Sequence, residues 1–393
     1  MTLSIIVAHL PDTTVETATF DRKWLRQQAR GRGEDAEYPF TTPTASTADG
    51  DQPSFLLFSV NANSSEELAP IVTGWHPGAA VAGGIFPFAD RCVPMALFTR
   101  NSTQQQEQSR KHQLGRKAKH AASSASAGTL DFPTNLLVRV QGQVGMHVFA
   151  SCGFHPITPV VKCETISSAY LLDQCAHYRA YETVLWRNPS TGEEVQYRLI
   201  DLLRQYGSFT RDNTLNIFTS ASLAPMQMIV EASKECIESE LLAMPSLAET
   251  IDRIDMLICT ADGDVLSMDK HWEIGRYGFV AVQIPECGKF AHTIALKAVK
   301  ARLSEQREQP LGAFMITCAL KGQELYGETD VETNIYEQLF PGLPLSGCFS
   351  GGEIGPVAYP MGLSSCKVAN GPQLQANTTT GAIFYIKNPR ASA

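Results

Sequence analysis

The chain has 393 residues, 44% hydrophobic and 18% charged, the composition of a globular protein with a substantial core and length for two domains. Its formal charge of -8 and pI near 5.6 exclude nucleic acid as the main partner, because phosphate binding needs a concentrated basic surface. Ala79 to Phe98 comes nearest to a membrane span, but Pro87, Asp90, Arg91 and Pro94 break it short of the roughly 20 apolar residues required. No membrane partner is expected, and the chain reads as soluble and cytoplasmic.

Met1 to Leu10 (MTLSIIVAHL) lacks the basic flank and the length of a signal sequence and reads as a first strand. Arg22 to Pro53 is polar, so residues 1–53 read as a strand plus a partly disordered segment. Ser54 to Asn61 (SFLLFSVN) is apolar on both faces, as in a buried strand. Ser64-x-x-Glu67 is a capping box that opens a helix to Gly74. Gln104 to Gly128 is of low complexity with few apolar anchors; six Lys or Arg against Glu107 give +5 over residues 100–130. This reads as a solvated insertion or, more sharply, a docking segment for an acidic partner.

Leu136 to Val140 and Met146 to Ser151 read as hairpin strands around Gly142 and Gly145. Ala224 to Met244 reads as a helix burying Met228, Ala232, Ile237 and Leu241. Met256 to Thr260 and Phe279 to Ile284 read as strands, and Ala291 to Glu308 as an amphipathic helix.

One pattern recurs. Phe55 to Val60 (FLLFSV), a capped helix and Trp75 to Phe86 (WHPGAAVAGGIF) are matched by Phe314 to Ala319 (FMITCA), a helix opened by Thr329-x-x-Glu332, and Leu339 to Phe349 (LFPGLPLSGCF). In both units a glycine stands six residues after the proline of a Pro-Gly pair: Pro77 to Gly83 and Pro341 to Gly347. The expectation is an α/β fold of two related strand–helix–strand halves, with largely buried sheets flanked by helices.

None of the ten cysteines forms a C-x-x-C pair, which argues against a structural zinc site, and no metal is expected. Neither GxGxxG nor a P-loop lysine occurs, so no nucleotide cofactor is expected. Phe340 to Pro356 (FPGLPLSGCFSGGEIGP) holds five glycines around Cys348 and Glu353. Such a stretch either exposes peptide N–H groups to an anion or lets two backbones cross closely. Cys318 would need a base or cation beside it to serve as a nucleophile. Spacing places none there, and no catalytic residue is assigned.

Gly312 to Pro356 resembles the C-terminal core of the FIST domain, a family found in bacterial signalling proteins and in an F-box protein of eukaryotic ubiquitin ligases. The resemblance rests on a strand ending at Cys318, the basic Lys321, a helix ending at Phe340-Pro341, Gly347, and Gly352-Glu353-Ile354-Gly355. Ser151 to Glu182 is similar to the junction between the FIST halves, and the segment from Ser54 to Phe86 resembles the N-terminal half. Three positions depart from the family pattern: Lys321 stands for arginine, Phe154 for cysteine and Thr158 for glycine. No F-box pattern precedes the FIST-like part.

The resemblance implies an N-like half at 54–165, with the basic insertion about 101–130, and a C-like half at 166–390. It further implies a non-enzymatic module that senses a small ligand, such as an amino acid, in a cleft between the halves. The alternative is a protein-recognition adaptor, as in a ubiquitin ligase. Cys318, Lys321, Gly347, Cys348, Gly352 and Glu353 would line that cleft, with Gly83 and His155 entering from the other half.

Overall fold

Strands that are apolar on both faces must be covered on both sides, and here two sheets lie face to face with helices outside. The computed structural model describes residues 13–20, 24–25, 39–40, 52–59, 62–86, 135–170, 177–188, 190–206, 215–235, 253–259, 265–267, 272–356 and 372–387. Met1 to Leu10 and Gln104 to Gly128 lie outside them.

The first sheet runs β1 (Thr13–Phe20), β4 (Asn135–Gly142), β2 (Ser54–Ser59), β3 (Ala80–Ile85), β16 (Glu353–Gly355) and β17 (Gln373–Gln375). The second runs β15 (Leu345–Ser350), β14 (Gln309–Cys318), β18 (Thr379–Ile386) and β5 (Val144–Ser151). Ala82, Met146, Val148 and Ala382 fill the layer between them. Phe58 meets Phe314 edge-on there, with ring centroids 5.9 Å apart.

Helix α1 (Ala62–Trp75) covers the outer face of the first sheet, where Leu68, Ile71 and Val72 pack on Phe55, Leu57 and Val81. Helices α4 (Pro285–Gln306) and α6 (Val331–Leu339) cover the second, where Ala295, Leu296, Val299 and Tyr336 meet Phe149, Met315 and Ile383.

A third, antiparallel sheet closes on itself. It comprises β10 (Leu215–Ser220), β11 (Arg253–Cys259), β12 (Val265–Ser267), β8 (His177–Arg187), β7 (Val161–Tyr170) and β13 (Tyr277–Gln283), and β13 pairs back onto β10. β6 (Phe154–Pro156) and β9 (Glu194–Arg198) are appended to it. Helix α2 (Leu199–Tyr206) packs Leu199, Leu202 and Leu203 against Ile217, Val280 and Trp272. Helix α3 (Leu223–Glu235) packs Met226, Ile229 and Val230 against Phe218 and Phe279.

The expected mixed α/β fold with helix-flanked sheets is present, and several local expectations are corrected. β4 and β5 form no hairpin, because the chain passes at Gln143 from the first sheet to the second. Met228 is 50% exposed, so the buried face of α3 is set by Met226, Ile229 and Val230, while Ile237 and Leu241 lie outside the described residues. Thr329 does not cap α6. Asp330 precedes that helix in the left-handed region, with φ 63°, and makes no side-chain cap, while Glu332 turns inward. The division at 165–166 falls inside β7, and β16 and β17 sit in the sheet of the N-terminal strands.

Both strand–helix–strand units are present as parallel pairs, β2 with β3 and β14 with β15. Gly83 pairs with Leu57 and Gly347 with Met315. A Cβ at Gly83 would lie 2.0 Å from the Leu57 carbonyl oxygen, and one at Gly347 would lie 2.2 Å from that of Met315. The same requirement thus fixes glycine at the same place in both units. Since backbone cannot move aside as a flexible side chain does, Gly83→Ala and Gly347→Ala should each destabilise the chain by about 1–3 kcal/mol. The check is a fall in urea midpoint at unchanged slope, and an unchanged midpoint would contradict the close approach.

Candidate functional site

The glycine-rich stretch does not form the exposed anion-holding loop that its composition allowed. Residues 352–356 are buried, and β16 is hydrogen-bonded between β3 and β17. A Cβ at Gly352 would sit 3.1 Å from Leu374, and one at Gly355 would sit 2.9 Å from Thr380. The absent side chains make room for the protein's own neighbours.

Glu353 is correspondingly 0% exposed. Ser350 Oγ donates to its Oε1 at 2.6 Å, and Thr378 donates to its Oε2 through Oγ at 2.9 Å and through N–H at 3.2 Å. Burial raises its pKa to about 7, with those hydrogen bonds and the charge of Lys321 opposing. The resemblance placed Glu353 on the lining of a ligand cleft. The structure gives it Ser350 and Thr378 instead, away from solvent.

Lys321 lies in the turn after β14 and is also 0% exposed. Its Nζ sits 2.7 Å from Glu332 Oε1 and donates to Thr379 Oγ at 3.0 Å and to the Ser151 carbonyl at 3.3 Å. Glu332 further accepts from Tyr326 OH at 2.9 Å, Thr379 Oγ at 2.7 Å and Thr317 Oγ at 3.2 Å. Burial alone would raise the pKa of Glu332. The ammonium of Lys321, nearby His292 and the donated hydrogen bonds outweigh it and hold the carboxyl at about 2. The carboxylate of Glu332 is therefore ionised, and its contacts with Lys321 are satisfied internally.

Directly over this network opens a cleft of about 810 Å³, lined by residues between Met315 and Phe349. One wall is β14 and β15, through Met315, Thr317, Gly347 and Phe349. The other is Tyr326, at the end of the short helix α5 (Gln323–Tyr326), together with Glu328, Asp330 and the first turn of α6 from Val331 to Thr333. Glu332 and Tyr326 thus belong both to the cleft wall and to the buried network. The Ser346 hydroxyl, also in the lining, is buried with no hydrogen-bond partner among the described residues.

Of the eight residues singled out by sequence, Gly347 and Cys348 line the cleft. Cys318, Lys321 and Glu353 lie beneath it in the interior, and Gly352 and Gly83 serve strand packing. His155 stands apart on β6, paired with Val282 of the third sheet. The cleft is formed within one strand–helix–strand unit, from residues 315–349, rather than at a joint between halves. Tyr326, Thr317 and Thr379 carry no sequence signal, and Glu332 reads there only as a capping residue. The one visible signal was that Glu332 stands in a stretch rich in acid and free of Lys and Arg.

The thiols are poorly suited to nucleophilic work. Burial and the neighbouring charge of Glu353 push Cys318 up to about 11, and burial pushes Cys348 to about 11. Cys318 Sγ donates to Asn377 Oδ1 at 3.9 Å. Among the described residues no group of His, Cys, Asp and Glu is arranged to hold a metal ion. No helix among them is long and apolar enough to cross a membrane.

No protein-family model matches the chain. It is similar to an uncharacterized protein of Mycobacterium tuberculosis, from strains CDC 1551 and H37Rv, with 41% identity over 61 residues, 16% of this chain and 16% of the relative. An uncharacterized protein of Mycobacterium bovis is 43% identical over 47 residues, 12% of each chain. The chain thus matches no more than 16% of these relatives' own length, and their names carry no activity.

Two outcomes follow from these environments. A folded carboxyl with its pKa at about 7 instead of 4.5 holds a proton that the unfolded chain has released, so its contribution to stability falls as pH rises through that window. Glu353→Gln should therefore reduce the loss of stability between pH 5 and pH 8 by about 2–3 kcal/mol, measured by urea unfolding. Identical pH differences in the two proteins would show that Glu353 is ionised throughout. Cys318 should react with iodoacetamide at pH 8 far more slowly in the folded chain than in urea, and rapid labelling of the folded protein would remove the assignment of a buried, protonated thiol.

Proposed function

We propose that the chain is a non-enzymatic, cytoplasmic binding module of FIST type that senses a small ligand, such as an amino acid, in the cleft between β15 and the start of α6. The observation that carries this reading is an open cleft of about 810 Å³ whose inner wall is a pre-arranged polar network. Pockets of this volume suit small molecules when apolar lining is combined with a few fixed polar groups. Met315, Val331, Leu345 and Phe349 supply the first, and Tyr326, Thr317 and Thr333 supply the second. Asp330, exposed at the same cleft beside Glu328, which is paired with Lys289, favours a ligand that carries an ammonium group. At the cleft this carboxylate takes the place that the resemblance gave to Glu353.

A second reading, a protein-recognition adaptor of the kind used in ubiquitin ligases, is favoured by Phe349, which lines the cleft and is 62% exposed. Single exposed apolar residues are common, but an exposed aromatic ring on a cleft wall suits a partner surface.

A thermal-shift screen of amino acids and small amines separates the readings. A ligand present at a hundred times its Kd stabilises by about 2.7 kcal/mol and raises the melting temperature. Val331→Trp, which fills the cleft, should abolish the shift, whereas Glu353→Gln should leave it intact. A shift that survives Val331→Trp and disappears in Glu353→Gln would place the ligand elsewhere, and no shift with any compound removes the small-ligand reading.

A further inference from the structure

The outer edge of β15 has no strand beside it among the described residues; its paired neighbour is β14 alone. The phase of that ladder is set at both ends. Ala313 N–H donates to the Pro344 carbonyl at 2.8 Å, and Ala319 N–H donates to that of Ser350 at 2.9 Å. In a parallel pair alternate residues turn their peptide groups to opposite sides, so Ser346 and Cys348 bond inward. Leu345, Gly347 and Phe349 then present their N–H and C=O groups to the open side. Natural edge strands are usually protected by lysine, proline or a bulge. β15 (LSGCFS) contains no charged residue and no proline, and its pairing with β14 is regular.

Charge selects the occupant. From Gly322 to Ser350 the chain carries Glu324, Glu328, Asp330, Glu332 and Glu337 and no Lys or Arg. Lys321 neutralises Glu332 from beneath, and Lys289 lies 2.8 Å from Glu328. Asp330 remains exposed at the cleft. A second copy of this chain would bring acid against acid, whereas a basic strand would be attracted.

We infer that the β15 edge binds an extended, basic peptide of a partner protein by strand addition. Peptide groups of Leu345, Gly347 and Phe349 form the ladder, and a Lys or Arg side chain enters the cleft above Gly347 toward Asp330. Main-chain bonds give such a complex its affinity, and the cleft gives it side-chain selection. The inference rests on reading the cleft as a binding surface and names the partner chemistry of the adaptor reading.

The test is fluorescence anisotropy of the full chain with three labelled seven-residue peptides. One alternates lysine and valine, one replaces each lysine by glutamate, and one replaces each valine of the lysine peptide by proline, removing ladder donors. The lysine–valine peptide should bind at least tenfold more tightly than either control and weaken as salt rises. Phe349→Pro removes an outward donor and leaves the β14 ladder intact, and it should weaken binding at least tenfold. Asp330→Lys, a change at an exposed position, should do the same in the folded variant.

Equal binding of lysine and glutamate peptides, or full binding by the folded Asp330→Lys variant, overturns the inference. So does sedimentation of the free chain as a dimer that Phe349→Pro dissociates, since a second copy would then occupy the edge. A positive amino-acid shift together with no peptide binding sinks this inference and leaves the small-ligand reading standing. Failure of both removes the cleft as a binding surface.

Discussion

An ammonium group with no access to water must be paid back locally, and Lys321 is the constraint around which the C-terminal unit is arranged. Its partners come from distant parts of the chain: the Ser151 carbonyl at the end of β5, Thr379 at the start of β18, and Glu332 in the first turn of α6. The pair ties two strand ends and a crossover helix to one point. Removing one member of such a pair typically costs about 3–5 kcal/mol, because the other charge is left buried and unmatched. Arginine, the residue of the resembled pattern, has a larger planar fork with five donors. Lysine is a compact charge, and here it is matched by one carboxylate oxygen, one hydroxyl and one carbonyl.

Two carboxylates near that ammonium meet opposite fates, and the geometry explains the difference. Glu332 has the ammonium at 2.7 Å and accepts from three hydroxyl groups, so its carboxyl is held at about 2 despite its burial. Glu353 receives two hydroxyls and one peptide N–H, with Lys321 acting on it through charge alone, and burial prevails at about 7. Hydroxyl donors do not offset desolvation as a direct counter-charge does. Neighbours in the interior thus divide the work: one carboxylate is permanently charged and fixes the cleft wall, and the other is poised between states and holds the turn between β15 and β16 to Thr378.

Much of the architecture was legible because it depends on local pattern. SFLLFSV and FMITCA announce strands covered on both faces, and each is followed by a helix and a returning parallel strand. The closed antiparallel sheet was not legible. Its closure depends on β13 pairing with both β7 and β10, contacts between strands far apart in sequence that leave no periodic trace. The site was read with the right residues in the wrong relation to solvent. Glycine and glutamate in FSGGEIGP have the same composition whether they cradle an anion or let strands pack closely, and only the neighbours, Thr380 of the second sheet with Leu374 and Ile85 of the first, decide between them. Glu332 was read as a capping residue because Thr329-x-x-Glu332 fits that pattern. The buried ammonium at Lys321 is a stronger partner than a free peptide N–H, and it draws the side chain inward.

The two strand–helix–strand units share a parallel pair and a glycine forced by a neighbouring carbonyl, yet they differ in what lies beyond the second strand. β3 is flanked by β2 on one side and β16 on the other, so its peptide groups are satisfied within the first sheet. β15 has β14 on one side and no strand on the other among the described residues, and the segment facing it carries acid without base. The chain that leaves β15 explains the difference. Gly351 N–H donates to the Ile85 carbonyl at 2.7 Å, which swings the backbone across to the first sheet, where it becomes β16. The strand that completes the first unit is therefore drawn from the second. The glycines around Glu353 make that crossing possible, and the open edge of β15 is its structural consequence.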